Sequence, residues 1–183
     1  MTYTDCMIDF ETLATRPDAK ILQFGWVFFN RHDRQFEHFG DQCTIYQGDQ
    51  QDRIASPSTV DWWGTQDPQL FHRLTHGVTP LHKAVALFIN HFETHANSDT
   101  LLWSNPGSFD IAILENLMLY TGLDAPYSHR SFSCFRTAMR FYPEVTRIKP
   151  TVKHDGLEDA IAQAKTLQCI FHAQRLLEAA SNH

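Results

Sequence analysis

Residues 7–29 read MIDFETLATRPDAKILQFGWVFF. An apolar, β-capable run from residue 3 to 10 leads into Asp9-Phe10-Glu11. After a polar stretch comes a second run, residues 21–30, dense in β-branched and aromatic side chains. Side chains on a strand alternate faces, so Asp9 and Glu11 at the end of the first strand point the same way. Outward from this pair, residues 35–45 read as a third strand with apolar points at Phe36, Phe39 and Ile45. Turn-type residues 30–33 precede it, which predicts an antiparallel meander. Residues 47–58 form a polar loop with Gly48 and Pro57, and 58–66 open a short helix. Asp67-Pro68 caps another helix, and Thr79-Pro80 starts a longer one with Leu81, Val85, Phe88 and Phe92 at helical spacing. A strand over 100–104, a helix over 108–121 ended by Gly122, an edge strand over 131–134 and a short helix to 141 follow. One long helix runs from 154 to the C-terminus, with Leu157, Ile161, Ala164, Leu167 and Phe171 as its buried stripe. Helix 108–121 is expected to bury Ile113, Leu117 and Tyr120 on one face. Three strands followed by alternating helices and strands predict an α/β fold with a mixed central sheet flanked by helices.

The 183 residues fit a single domain over 1–183, long enough to fold without disulfide or metal staples. No apolar run is long enough to span a bilayer, so no membrane is expected, and the N-terminus lacks a secretory pattern. The four cysteines, at 6, 43, 134 and 169, are scattered without a C-x-x-C pair. Cys6 and Cys169 fall in apolar periodic segments, so buried thiols and a cytoplasmic setting are expected. A net charge of −6 argues against a broad basic face for duplex binding. It remains compatible with an acidic site whose metals supply the positive charge that meets a phosphate, and it implies a short footprint.

Four stretches carry chemistry. The first is Asp9-Phe10-Glu11-Thr12, where two carboxylates on one face repel unless a cation sits between them, a task suited to Mg²⁺ or Mn²⁺. Taken alone, this pair reads equally well as a strand end. The second is WSNPGSFD, 103–110, with Ser108 as a helix cap and Asp110 in the first turn, where an acid also favours the helix dipole. The third is HDGLEDA, 154–160. Asp155 and Glu158 have capping-box spacing, which makes His154 and Asp159 the two positions that meet at a helix start and brings an imidazole beside a carboxylate. The fourth is the cationic cluster Arg147, Lys149 and Lys153, able to hold phosphates beside such a site.

In their order, D-x-E-T, N-P-x-x-F-D and H-x-x-x-x-D-A resemble the motifs of the DEDDh 3′→5′ exonuclease superfamily. The nearest branch is that of phage T4 exonuclease A and the mycobacterial RNase AS-like proteins, also matched by VDWWGTQ (60–66), FRTAM (135–139) and HDGLEDAIAQA (154–164). The resemblance covers nearly the whole chain and implies an RNase H-like three-layer fold. It implies two Mg²⁺ or Mn²⁺ ions per site, with Asp9 shared by both, Glu11 and Asp159 completing one and Asp110 supporting the other. His154 would take the proton of the attacking water. The substrate would be single-stranded DNA or RNA with a free 3′ end, cut to nucleoside 5′-monophosphates, and a homodimer is allowed. Thr12 and Leu13 are expected to meet the terminal sugar and base. Asn105, Phe109, Arg136, Lys149 and Lys153 complete the expected substrate contacts. Two departures stand out: Gly156 replaces an alanine common in relatives, which would loosen the first helical turn, and Cys134-Phe135-Arg136 lacks an aspartate often found before this arginine.

The alternatives are a non-catalytic nucleic-acid-binding domain of the same fold and a hydrolase of dinucleotides or short oligonucleotides. An intact acidic cluster disfavours the first, since a pure binder has no use for it. His72/His76 and His91/His95 have i,i+4 spacing without a third ligand and read as surface histidines. Of Trp62 and Trp63, which point in different directions on a helix, Trp62 is expected in the core and Trp63 is open to either role.

Overall fold

Every residue of the second strand is buried, so it sits at the middle of a sheet covered on both faces. The computed structural model describes residues 2–181, and side chains as far as residue 176. Strand β1 (Asp5–Thr12) pairs antiparallel with β2 (Ile21–Phe29), and β2 pairs antiparallel with β3 (His38–Thr44). Strand β4 (Leu101–Ser104) then runs parallel to β1, and β5 (Phe132–Cys134) parallel to β4. The order is β3-β2-β1-β4-β5, the expected mixed sheet.

The helices are α1 (Pro57–Trp63), α2 (Pro68–Thr75), α3 (Leu81–His95), α4 (Asp110–Thr121), α5 (Phe135–Phe141) and α6 (Gly156–Ser181). On one face of the sheet Cys6, Ile8, Phe10, Phe24, Trp26 and Phe28 pack against α3 and α4. On the other, Met7, Val27 and Phe29 pack against Ala160, Ala164, Leu167 and Ile170 of α6 and Phe135 of α5. This is the α/β, RNase H-like three-layer arrangement. A satellite cluster of Leu22, Trp63, Leu70 and Leu74 secures α1 and α2 at one end.

Local signals explain most element ends. Asp67 accepts from the Gln69 amide at 2.8 Å ahead of Pro68, as expected. Helix α1 starts one residue earlier than expected because Ser56 caps it and Pro57 suits its first turn. Ser108 does not cap α4. Phe109 holds the cap position without a side-chain bond, and Asp110 is the first helical residue. Tyr120 is 40% exposed, its hydroxyl drawn outward to Asp52 at 2.7 Å, whereas Ile113 and Leu117 are buried as expected. Along α6, Ala164 and Leu167 of the expected stripe are fully buried, joined by Ala160 and Ile170, whereas Leu157, Ile161 and Phe171 are only half-buried. The helix begins at Gly156, and residues 182 and 183 lie outside the described residues. The cysteines are free. Cys6 and Cys43 are buried, but Cys169 is exposed because its position on α6 turns away from the sheet.

Candidate active site

Strand β1 carries three acids on the face toward α6, and they are treated differently. Asp5, fully buried, is surrounded by donors: Arg31 Nη1 at 2.9 Å, Trp103 Nε1 at 2.8 Å and the Thr4 hydroxyl at 2.6 Å. Asp9 has one side-chain donor, Gln163 Nε2 at 2.9 Å, and otherwise faces Asp110, Glu11 and Asp159. Burial, then these three acids, push its carboxyl well above the usual range. Glu11 is raised by burial first, then by Asp159, Asp110 and Asp155.

Asp110 arrives from the start of α4. Its carboxylate accepts from the Phe10 amide at 3.0 Å and the Asn105 amide at 3.3 Å, which ties β1 to the loop after β4. Burial pushes its pKa up to about 7 despite these bonds. Arg136 reaches Asn105 Oδ1 at 3.4 Å, so the two expected contacts sit together beside Asp110.

The start of α6 brings the remaining groups. Asp155 caps the helix through the Glu158 amide at 3.3 Å and is itself held by Arg73 Nη2 at 2.9 Å. The Gly156 amide donates to Gln23 Oε1 at 2.7 Å and the Leu157 amide to Gln42 Oε1 at 3.3 Å, so two strand glutamines bind the orphan donors of the first turn. Gly25 of β2 lies so close beneath that a β-carbon there would overlap the Gly156 carbonyl carbon. The turn that carries Gly156 is thus held by these two glutamine bonds. Gly156 lets the helix start press on β1 and β2, within reach of Asp9 and Glu11.

His154 and Asp159 meet as expected, an imidazole nitrogen lying within 4.8 Å of an Asp159 oxygen, although the hydrogen bond between them comes from the backbone. His154 has φ +64, and its backbone amide donates to Asp159 Oδ2 at 2.8 Å. The left-handed turn is uncommon for histidine. It turns the ring toward Glu11, with Nδ1 at 3.9 Å from Oε1. Burial and then Lys153 lower the pKa of His154, while burial raises that of Asp159. The ligand atoms of Glu11, His154 and Asp159 lie within 4.8 Å of one another. Among the described residues no lysine or arginine forms an ion pair with Asp9, Glu11, Asp110 or Asp159. Mutually repelling carboxylates with no directly paired lysine or arginine among the described residues fit divalent cations.

Two cavities flank the acids. One, of about 390 Å³, is lined by Glu11, Thr12, Phe109, Trp62 and Trp63 among others. Thr12 and Phe109 thus lie together with Glu11 on one cavity wall. Leu13 is not among the lining residues and packs instead against the satellite cluster, because the register shift after Glu11 ends the strand's regular alternation. Trp62 is 42% exposed and Trp63 only 1%, the reverse of the expected core role for Trp62. Trp63 is fixed because its Nε1 donates to the Thr12 carbonyl at 2.9 Å. The other cavity, about 420 Å³, is lined by Arg147, Lys149 and Lys153 and reaches Asp159. Cys134, at the departure noted above, accepts from the Gly107 amide at 3.5 Å and lines a shallow surface behind the Asp110 loop.

Sequence reading missed Gln163, although it lies one turn after Asp159 on the same helix face. It also missed Gln23, Gln42 and Gly25, whose roles depend on where α6 lands on the sheet. His72 and His76 are exposed, as expected. His91 and His95 instead pack on Phe39, and His91 takes the Trp26 Nε1 bond at 3.3 Å, so they belong to the aromatic layer.

The model of the 3′-5′ exoribonuclease Rv2179c-like domain family matches residues 4–171. The chain belongs to this family. No curated protein sequence matches it. Among solved structures, this exoribonuclease-family chain is similar to the nuclease domain of 3′hExo, a DEDDh family member bound to rAMP. The identity is 15% and the TM-score 0.64, with 93% of each chain covered. It is also similar to S. pombe Pop2p in its Mg²⁺- and Mn²⁺-bound form, at 15% identity and TM-score 0.58, over 92% of this chain and 82% of that one. The RNase domain of yeast Pop2 matches at 9% identity and TM-score 0.57, over 96% and 78%. These likenesses carry the fold, and the family carries the activity: the chain is a 3′→5′ exonuclease acting on nucleic acid.

Proposed function

We propose that this chain, as one domain, removes nucleoside 5′-monophosphates from the free 3′ end of single-stranded RNA, using two Mg²⁺ or Mn²⁺ ions and His154 as general base. The observation that carries this reading is the convergence of Asp9, Glu11, Asp110 and Asp159 beside His154, with no lysine or arginine among the described residues paired to them. RNA is favoured over DNA by the family description.

Asp9, Glu11 and Asp159 would hold one cation, and Asp9 with Asp110 the other. When bound, such a pair draws charge from the phosphate, acidifies water and stabilises the leaving oxygen. The chain's own groups do the rest. Thr12 and Phe109 would seat the terminal sugar and base in the cavity beside Glu11. Lys149 and Lys153, with Arg147, would hold a phosphate at the edge of Asp159, and Arg136 with Asn105 would steady the strand beside Asp110. His154 Nδ1, which faces Glu11, would accept the proton as water attacks phosphorus and the bond to the 3′ oxygen breaks, that oxygen taking a proton from solvent. Burial and Lys153 favour the neutral imidazole this step needs. Gln163 would keep Asp9 in place.

The test is a pair of 5′-labelled oligonucleotides of one sequence, RNA and DNA, incubated with Mg²⁺, Mn²⁺ or Ca²⁺. The expected result is a ladder from the 3′ end of the RNA with Mg²⁺ or Mn²⁺ and none with Ca²⁺, whose longer bonds and looser geometry bind without aligning the attack. A single cut confined to dinucleotides would favour the small-substrate hydrolase, binding without cleavage the inactive domain, and full activity after chelation would overturn the metal reading.

A further inference from the structure

His154 is held unevenly. Its backbone is pinned by Asp159, but Nε2 is buried without a hydrogen-bond partner, and Nδ1 has only Glu11 at 3.9 Å. Functional histidines are usually oriented by a bond to the second ring nitrogen. Here the orienting surface is aromatic. Trp62 meets the imidazole edge-on at 4.9 Å between ring centres, and Trp63 does so at 5.9 Å. Trp63 is rigid, bonded to Thr12 and stacked on Phe71 at 5.5 Å. Trp62 has fewer restraints: it is 42% exposed, and its remaining ring contact is the edge of Trp63 at 5.0 Å. The same indole is a wall of the cavity that also holds Thr12 and Phe109.

We propose that Trp62 is a positioning residue that couples occupancy of this cavity by the 3′-terminal nucleobase to the orientation of the His154 imidazole. The inference rests on the nuclease reading above. A base in the cavity stacks against the exposed indole, an interaction open to any base because each has a π-face. Stacking removes the rotational freedom of Trp62, and the ring in turn confines His154, whose plane is otherwise limited by the more distant edge of Trp63 and by Glu11 without a hydrogen bond to either ring nitrogen. The enzyme thereby turns over efficiently only when a nucleotide with an intact base fills the end of the site. The terminal base contributes to kcat and not to KM alone, the signature of binding energy used to align the reacting groups.

The experiment compares an RNA ending in an ordinary nucleotide with one whose last residue is an abasic ribose, using wild type, Trp62→Ala and Trp62→Phe with saturating Mg²⁺. For wild type, losing the base should lower kcat by about 10- to 100-fold, the scale set by small misplacements of a reacting group. Trp62→Ala should lower kcat on the ordinary end by a similar factor and be nearly indifferent to the missing base, so the two losses do not multiply. Trp62→Phe keeps a stacking ring and should recover most of the rate and the base dependence. Multiplying losses in kcat, or a Trp62→Ala effect confined to KM, would overturn the coupling. The wild-type comparison needs no variant to fold. If wild type leaves the ordinary end intact, the nuclease reading itself fails, which is a separate outcome.

Discussion

Asp9 and Asp5 stand four residues apart on one face of β1, and the contrast between them defines the site. Asp5 has a guanidinium, an indole and a hydroxyl, while Asp9 has one amide and three acids. A carboxyl whose folded pKa is raised contributes stability that is present below the ordinary carboxylate range and lost as pH rises through the folded value. For Asp110 that window extends up to about 7. The chelated protein should therefore lose stability between pH about 4 and 7. Asp9→Asn removes one charge from the cluster. In EDTA at pH 8 it should melt about 2–4 °C above wild type, the shift of roughly 1 kcal/mol in a domain of this size, with the gain shrinking toward pH 4. Mg²⁺ should raise the wild-type melting temperature and leave the variant unmoved, and turnover should vanish. A tenth of the wild-type rate in Asp9→Asn would rule out its role. His154→Ala should keep the Mg²⁺-induced melting shift but lose about 10²–10⁴ in kcat, the usual share of a placed general base. Only neutral imidazole accepts a proton, and burial with Lys153 lowers its pKa, so the acidic limb of wild-type kcat should lie below the ordinary value near 6.5 and vanish in the variant. A variant retaining rate and limb would assign the base elsewhere.

At the scale of elements, the site depends on how closely α6 approaches the sheet. The elements themselves were legible because their signals are local: alternation in β1, Asp67-Pro68 before α2, Gly122 in the left-handed region after α4, and the Asp155 cap. Every acid of the cluster was legible too, since motif order survives without coordinates. What could not be read are relations between elements. The left-handed turn at His154, the exchange of roles between Trp62 and Trp63, and the seating of Leu13 away from the cavity all follow from where α1 and α6 dock. The Gly25–Gly156 contact is such a relation and carries a prediction. Gly25→Ala would force the β-carbon into the helix backbone, which cannot rotate aside. It should cost about 1–3 kcal/mol, as overpacking does, and displace His154 and Asp159, lowering kcat as well as the melting temperature. Gly156→Ala meets the Asp9 carbonyl oxygen and the Gly25 nitrogen at 3.2 Å and needs only a few tenths of an ångström, so its effect should be clearly smaller. Equal melting temperatures and rates for Gly25→Ala and wild type would show that α6 does not depend on this contact.

Across the whole molecule, a net charge of −6 means that nucleic acid is repelled by most of the surface and must be held where the charge is reversed. Arg147, Lys149 and Lys153 supply that reversal around one cavity beside Asp159, and Arg147 lies over the Phe135 ring at 5.4 Å, which limits its reach. A chain that grips a long strand would spread such residues along a groove. Under the proposed function, three of them gathered beside Asp159 would give a short footprint and a weak dependence on salt. For single strands, log K falls with log salt by roughly 0.7 per neutralised phosphate, so two to three contacts give a slope of about −1.5 to −2. The measurement is fluorescence anisotropy of a labelled RNA with His154→Ala in Mg²⁺, which keeps the carboxylates while slowing cleavage. Adding Lys149→Ala and Lys153→Ala should each flatten the slope by up to about 0.7 and weaken binding to all sequences alike, because phosphates carry no sequence information. Both lysines are exposed and neither forms an ion pair among the described residues, so folding should be untouched and the melting temperature unchanged. A slope steeper than about −4 would demand phosphate contacts far beyond this cluster. A slope that stays the same in the double variant would mean the strand leaves the site by another route, past Asn105 and Arg136 on the Asp110 side.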